Sequence, residues 1–166
     1  MMRLAYADPP YPGMAHRYPE NTEVDHAALV AHLEADFDGW ALSTGSNNLH
    51  AVLPLCPPDI RVAAWVKPFA SFKPNVNPAY AWEPVIFRQN PRRADRTQAT
   101  VRDWCAANIT LRKGLCGAKP PQFCDWLLGL LNFDPAQDTI EDLFPGTGSL
   151  GVAISKMESM ANRGLF

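Results

Sequence analysis

The sequence offers little that a secreted, membrane-bound or metal-stapled protein would need. No apolar run approaches the roughly 20 residues of a membrane-spanning helix. The four cysteines, Cys56, Cys105, Cys116 and Cys124, form no Cys-x-x-Cys pair, and no histidine stands at zinc-finger spacing from them. Buried thiols are therefore expected, not a disulfide or zinc framework. Met1–Asp8 meets an acid and then Pro9-Pro10 too soon to be a signal peptide. Charged residues make up only 19%, too few for a disordered polyelectrolyte. Internal repeats and low-complexity tracts are absent. A soluble chain of the cytoplasm is expected.

Proline, by contrast, is plentiful. Sixteen prolines in 166 residues are roughly twice average usage; they punctuate short elements and argue against bundles and coiled coils. With 47% hydrophobic residues, the chain can bury a core, and its length predicts a single domain over residues 1–166. Leu4–Ala7 reads as a buried strand stopped by Asp8-Pro9-Pro10. Thr22-x-x-Asp25 reads as a capping box before Leu29, Val30, Leu33 and Phe37 at helical spacing. A strand at Trp40–Ser43, a polar turn at 44–48 and a helix to about Leu55 come next, then strands at Ile60–Val66 and Pro84–Phe87. Pro120-Pro121 opens a helix with one apolar face, Phe123, Leu127, Leu130 and Leu131. Asp138–Phe144 is a last strand, and a helix follows the glycines after it. Alternating strands and helices predict an α/β sandwich with a mainly parallel sheet, whose ligands lie beyond the strands' carboxyl ends.

Net charge is only −2, yet it is unevenly spread. Between Arg88 and Lys119 stand Arg88, Arg92, Arg93, Arg96, Arg102, Arg112, Lys113 and Lys119 against Asp95 and Asp103. That stretch is +6 and the other 134 residues are −8. A basic face meeting phosphates explains such a distribution; a solvated arginine-rich loop is the plainer alternative.

Two motifs fall at predicted strand ends and can share one crevice. Gly146-x-Gly148-x-x-Gly151 lets backbone approach a ligand and leaves helix N–H groups available. A dinucleotide site would want an acid about 20 residues further on, and the sequence stops 15 residues after Gly151. In Asp8-Pro9-Pro10-Tyr11, paired prolines fix the backbone and turn carbonyls toward the crevice. Asp8 and the Pro9 carbonyl can accept from an exocyclic amine while Tyr11 stacks on its ring.

Together, Asp8-Pro9-Pro10-Tyr11 and Asp142-Leu143-Phe144-Pro145-Gly146-Thr147-Gly148 closely resemble the S-adenosylmethionine-dependent DNA amino-methyltransferases, which methylate adenine N6 or cytosine N4. The catalytic motif precedes the cofactor motif, the permuted order of that family's beta class. Lys119-Pro120 resembles the motif placed before the glycines in that class. Trp65-Val66-Lys67-Pro68 and Trp82-Glu83-Pro84 are similar to phage methylases related to the mRNA-adenosine methyltransferases.

The resemblance implies a Rossmann-like methyltransferase sheet with helices on both faces, truncated after the glycine motif. It also implies a DNA adenine-N6 methyltransferase, RNA being the other possible substrate. Asp8, Pro9, Pro10 and Tyr11 would hold a flipped base, with Asp8 also near the methionine amine. Lys119 would pair with the methionine carboxylate, and Asp142, Phe144, Gly146, Thr147, Gly148 and Ser149 would line the cofactor site. No metal is implied. Segment 88–118 takes the place of the target-recognition region, with Arg88, Arg92, Arg93, Arg96, Arg102, Arg112 and Lys113 toward nucleic acid. Family members usually continue into a strand whose acid binds the ribose. Here Asn162 is the substitute, and the short recognition region favours a homodimer or partner subunit. The competing reading is a methyltransferase-like nucleic-acid-binding subunit without activity.

Overall fold

The computed structural model describes residues 1–17, 21–69, 75–91, 100–109 and 118–163. Strand β1 (Arg3–Ala7) and strand β2 (Gly39–Ser43) are buried almost throughout, as apolar runs covered on both faces of a sheet must be. Strands β3 (Arg61–Val66), β4 (Trp82–Arg88), β5 (Trp104–Ala106) and β6 (Thr139–Asp142) complete six strands in the order β5-β3-β4-β2-β1-β6.

The sheet is mainly parallel, as expected, with one strand reversed. β1 runs parallel to β2 and β6, and β3 to β5, whereas β4 is antiparallel to both β2 and β3. A parallel pair needs a long crossover, usually a helix. No helix stands between Val66 and Trp82 among the described residues, and β4 folds back along β3. β5 lies inside the segment expected to be recognition loop; its three residues are too few for alternation to show.

Helix α1 (His26–Asp36) is capped by Asp25 itself, whose carboxylate accepts from Ala28 N at 3.0 Å. Asp25 is thus the cap itself and not the N3 residue of a capping box begun at Thr22. Leu29, Val30, Leu33 and the following Phe37 then pack with Ala5, Trp40, Leu42 and Ile86 on one face of the sheet. Helix α2 (Leu49–Val52), between two 3₁₀ turns, closes that face through Val52. Helices α3 (Pro121–Leu130) and α4 (Ser149–Ala161) cover the other, where Phe123, Leu127, Leu128 and Leu150 meet Leu4, Tyr6, Trp65 and Phe87. No described helix is long and apolar enough to cross a membrane.

Candidate active site

The two motifs meet because β1 and β6 are parallel neighbours. Tyr6 is in register with Asp142, and Leu143 N donates to Tyr6 O at 2.9 Å. Each strand then releases its motif at the same end of the sheet. The crevice between them, of about 40 Å³ and open to solvent, is lined by Tyr6, Asp8, Lys119, Cys124, Asp142, Phe144 to Thr147, Ser149 and Leu150. Gly146 (φ 48°) and Gly148 (φ 72°) supply left-handed turns that a Cβ would strain. Gly148 caps α4 without a side-chain bond, so the first N–H groups of the helix face this turn.

A charge cluster forms the wall shared by both motifs. Lys119 Nζ lies 3.0 Å from Asp8 Oδ2 and 3.2 Å from Glu83 Oε2. Lys67 pairs with the other oxygen of Glu83, and the Tyr11 hydroxyl donates to Glu83 Oε2 at 3.2 Å. Trp65 is the floor. The two ammonium groups stand 4.7 Å and 5.2 Å from its ring, and Phe123 packs on it at 5.2 Å between centroids. Two carboxylates and two lysines balance, as a cluster this buried requires.

Burial and pairing set the protonation states. Burial pushes Asp8 above the ordinary aspartate value, Lys119 pulls it down, and Glu83 pushes it up again. Burial would also raise Glu83, but Lys119 and Lys67 outweigh it and hold that carboxyl low. Lys119 is held well above the usual lysine range, because Asp8, the tyrosines and Glu83 overcome the cost of burying its charge. Tyr6 and Tyr11 are raised by burial and stay protonated. Asp142 is raised by burial against a bond from Phe144 N, with Asp8 adding to the rise. The Cys124 thiol is pushed up to about 12, chiefly by burial, so it is a packing residue beside the crevice and not a nucleophile.

The structure gathers Asp8, Lys119, Asp142, Phe144, Gly146, Thr147 and Ser149 around one cavity, with Pro9, Pro10, Tyr11 and Gly148 in the adjoining turns. Lys119 already serves Asp8 and Glu83, a partnership the expected role did not include. Asn162 is not brought in. It caps the far end of the 13-residue α4, about 20 Å from the glycine turn at 1.5 Å per residue. Arg88 is committed elsewhere, to Glu34 at 2.7 Å and Asp59 at 3.2 Å, at the end of the sheet away from the crevice. Arg102 lies over Trp104 at 5.5 Å. Arg92, Arg93, Arg96, Arg112 and Lys113 fall outside the described residues. Glu83 and Lys67 were missed as site residues, although both stand in the two tryptophan-bearing motifs; only their cross-strand placement reveals the role.

No protein-family model matches the chain, and no curated protein matches it. Among solved structures, it is similar to the crystal structure of the M1.HpyAVI-SAM complex, with TM-score 0.64 and 13% identity over 95% of this chain and 78% of that one. The crystal structure of M1.HpyAVI gives TM-score 0.61 and 12% identity, over 93% and 76%. At such identities the likeness is one of fold, and the α/β fold expected from the sequence is the one these structures share.

Proposed function

We propose that the chain transfers a methyl group from S-adenosylmethionine to the exocyclic amine of a nucleobase, adenine N6 in DNA. The crevice that Asp8, the first residue of Asp8-Pro9-Pro10-Tyr11, shares with Gly146, Thr147 and Ser149 carries this reading. The fold likeness to a protein crystallised with SAM supports the cofactor.

The residues fit that cofactor chemically. Asp8 and Asp142 are both raised carboxylates at one crevice, an environment that a cationic ligand relieves. The Gly146–Gly148 turn and the start of α4 suit a carboxylate, and half-buried Phe144 offers a flat apolar wall. When bound, S-adenosylmethionine supplies an electrophilic methyl carbon on a sulfonium. The chain's residues do the remainder. Tyr11, tethered through its hydroxyl to Glu83, presents its ring to the base. Asp8 and the Pro9 carbonyl accept from the amine and orient its lone pair in line with the methyl carbon. A nitrogen–carbon bond forms, the carbon–sulfur bond breaks, and a proton leaves the amine by way of Asp8. Positioning is the main contribution, since oriented intramolecular reactions reach effective molarities of about 10⁵–10⁸ M.

The test is Asp8→Ala, with Asp8→Asn alongside, assayed by nucleoside mass spectrometry of treated DNA. Loss of N6-methyladenine in both variants, with folding and cofactor titration measured separately, is expected. N4-methylcytosine as the product would reassign the base. Cofactor silence in calorimetry at millimolar concentration, with DNA binding retained, would replace the enzyme by a binding subunit.

A further inference from the structure

Among the described residues, three buried side-chain polar atoms have no hydrogen-bond partner: Thr44 Oγ1, Asn48 Nδ2 and His26 Nε2. The histidine begins α1, whereas the other two stand together just past β2, whose end lies beside that of β1. Thr44 is 1% exposed and Asn48 8%. Leaving a buried donor unpaired is costly, and a native chain rarely keeps one without use for it. Asn48 closes a 3₁₀ turn that runs straight into α2, and its side chain makes no capping bond there.

The surroundings say what the amide faces. A Cβ placed on Gly45 would lie 2.7 Å from Asn47 Oδ1, 3.3 Å from Tyr11 Cδ2 and 3.4 Å from Asn48 Nδ2. The tyrosine ring and the Asn48 amide therefore converge, with Asn47, on the face of a residue that has no side chain of its own. We propose that Thr44 and Asn48 form the subsite that reads the edge of the target base, Asn48 Nδ2 donating to the ring nitrogen beside the exocyclic amine. This rests on the nucleobase-amine reading above and extends it to recognition. Adenine N1 and cytosine N3 are both acceptors at that position, while guanine and thymine present an N–H there. An amide donor thus admits adenine and cytosine and leaves guanine and thymine with a donor facing a donor. Thr44, whose hydroxyl donates or accepts, takes a second polar atom of the same nucleoside.

The experiment is an atom-for-side-chain cycle. Methyl transfer is measured on single-site oligodeoxynucleotides carrying adenine or 1-deazaadenine, with the wild type, Asn48→Ala and Asn48→Asp. Thr44→Val is compared with Thr44→Ser, and thermal melts monitor folding. The wild type is expected to lose about 10-fold in kcat/KM more than either Asn48 variant when N1 becomes C–H, because the variants have already lost that bond. Thr44→Ser should retain activity that Thr44→Val loses. Equal sensitivity of wild type and Asn48 variants to the deaza base would overturn the subsite while methyl transfer itself stands. A wild type that transfers to no oligonucleotide would instead overturn the reading beneath it.

Discussion

Replacing Glu83 by glutamine removes one charge from a balanced set and changes almost nothing in shape. Glu83 is 20% exposed, Lys67 14% and Lys119 9%, so solvent screens the cluster only in part. Removing one partner of a buried pair typically costs about 3–5 kcal/mol. Glutamine keeps a carbonyl that can still accept from Tyr11 or one lysine, and Asp8 still holds Lys119. The expected loss at pH 7 is therefore smaller, about 2–3 kcal/mol, or a fall in Tm of about 4–12 °C for a chain of this size. Its pH dependence is the sharper check. The carboxyl of Glu83 is held below its ordinary value, so its charge stabilises the fold at pH values above the unfolded glutamate pKa. That stabilisation fades as pH falls through the lowered folded value. Urea unfolding of wild type and Glu83→Gln should give curves that converge as the solution is acidified below the usual glutamate range. A difference that stays constant with pH would refute the electrostatic account and leave only packing.

Asp8 is raised above the ordinary aspartate value and must be ionised to take the proton that leaves the amine. The acid limb of kcat/KM should accordingly lie above that value, and Lys119→Met, which removes the group pulling Asp8 down, should move it higher; stopped-time methylation across pH reads both. Gly45→Ala has ordinary backbone angles (φ −79°, ψ 145°) but places a methyl against Tyr11, Asn48 and the end of the exposed Asn47 side chain, which must swing aside. Stability should change by less than about 1 kcal/mol in thermal melts, while KM for the oligonucleotide rises several-fold. Replacing Arg92, Arg93 and Arg96 together should flatten the slope of log K against log salt for DNA by about 2–3 in anisotropy titrations, with cofactor affinity unchanged. Cys124 should resist alkylation in the native protein near neutral pH and react only on unfolding, as mass spectrometry of iodoacetamide-treated samples would show.

Strands β1 and β2 and helix α3 were legible because burial writes itself into short apolar runs and a 3.6-residue stripe. The crevice was legible too, since both chemical motifs follow predicted strands and parallel strands deliver their ends to one side. β5 was not, for three residues between charged neighbours carry no period. Nor was the turning back of β4, which depends on what connects it to β3 and not on its own residues. The Lys67–Glu83–Lys119 partnership joins three segments separated by 16 and 36 positions: the β3–β4 register sets Glu83 near Lys67, and Lys119 enters from the turn before α3. Arg88 shows the opposite error. Its charge belonged by sequence to a basic segment, but its place on β4 gives it to Glu34 and Asp59.

Trp65 lies buried with its indole N–H given to Ala107 O at 2.8 Å, and its ring feels two lysine charges at close range. An indole's emission shifts with the electric field along its ring, so the colour of this fluorophore depends on where those ammonium groups stand. Any ligand that takes Asp8 from Lys119 redistributes the charge above the ring. The molecule thus carries an optical gauge of its own crevice, readable by difference between the wild type and Trp65→Phe, with no label attached and no turnover required.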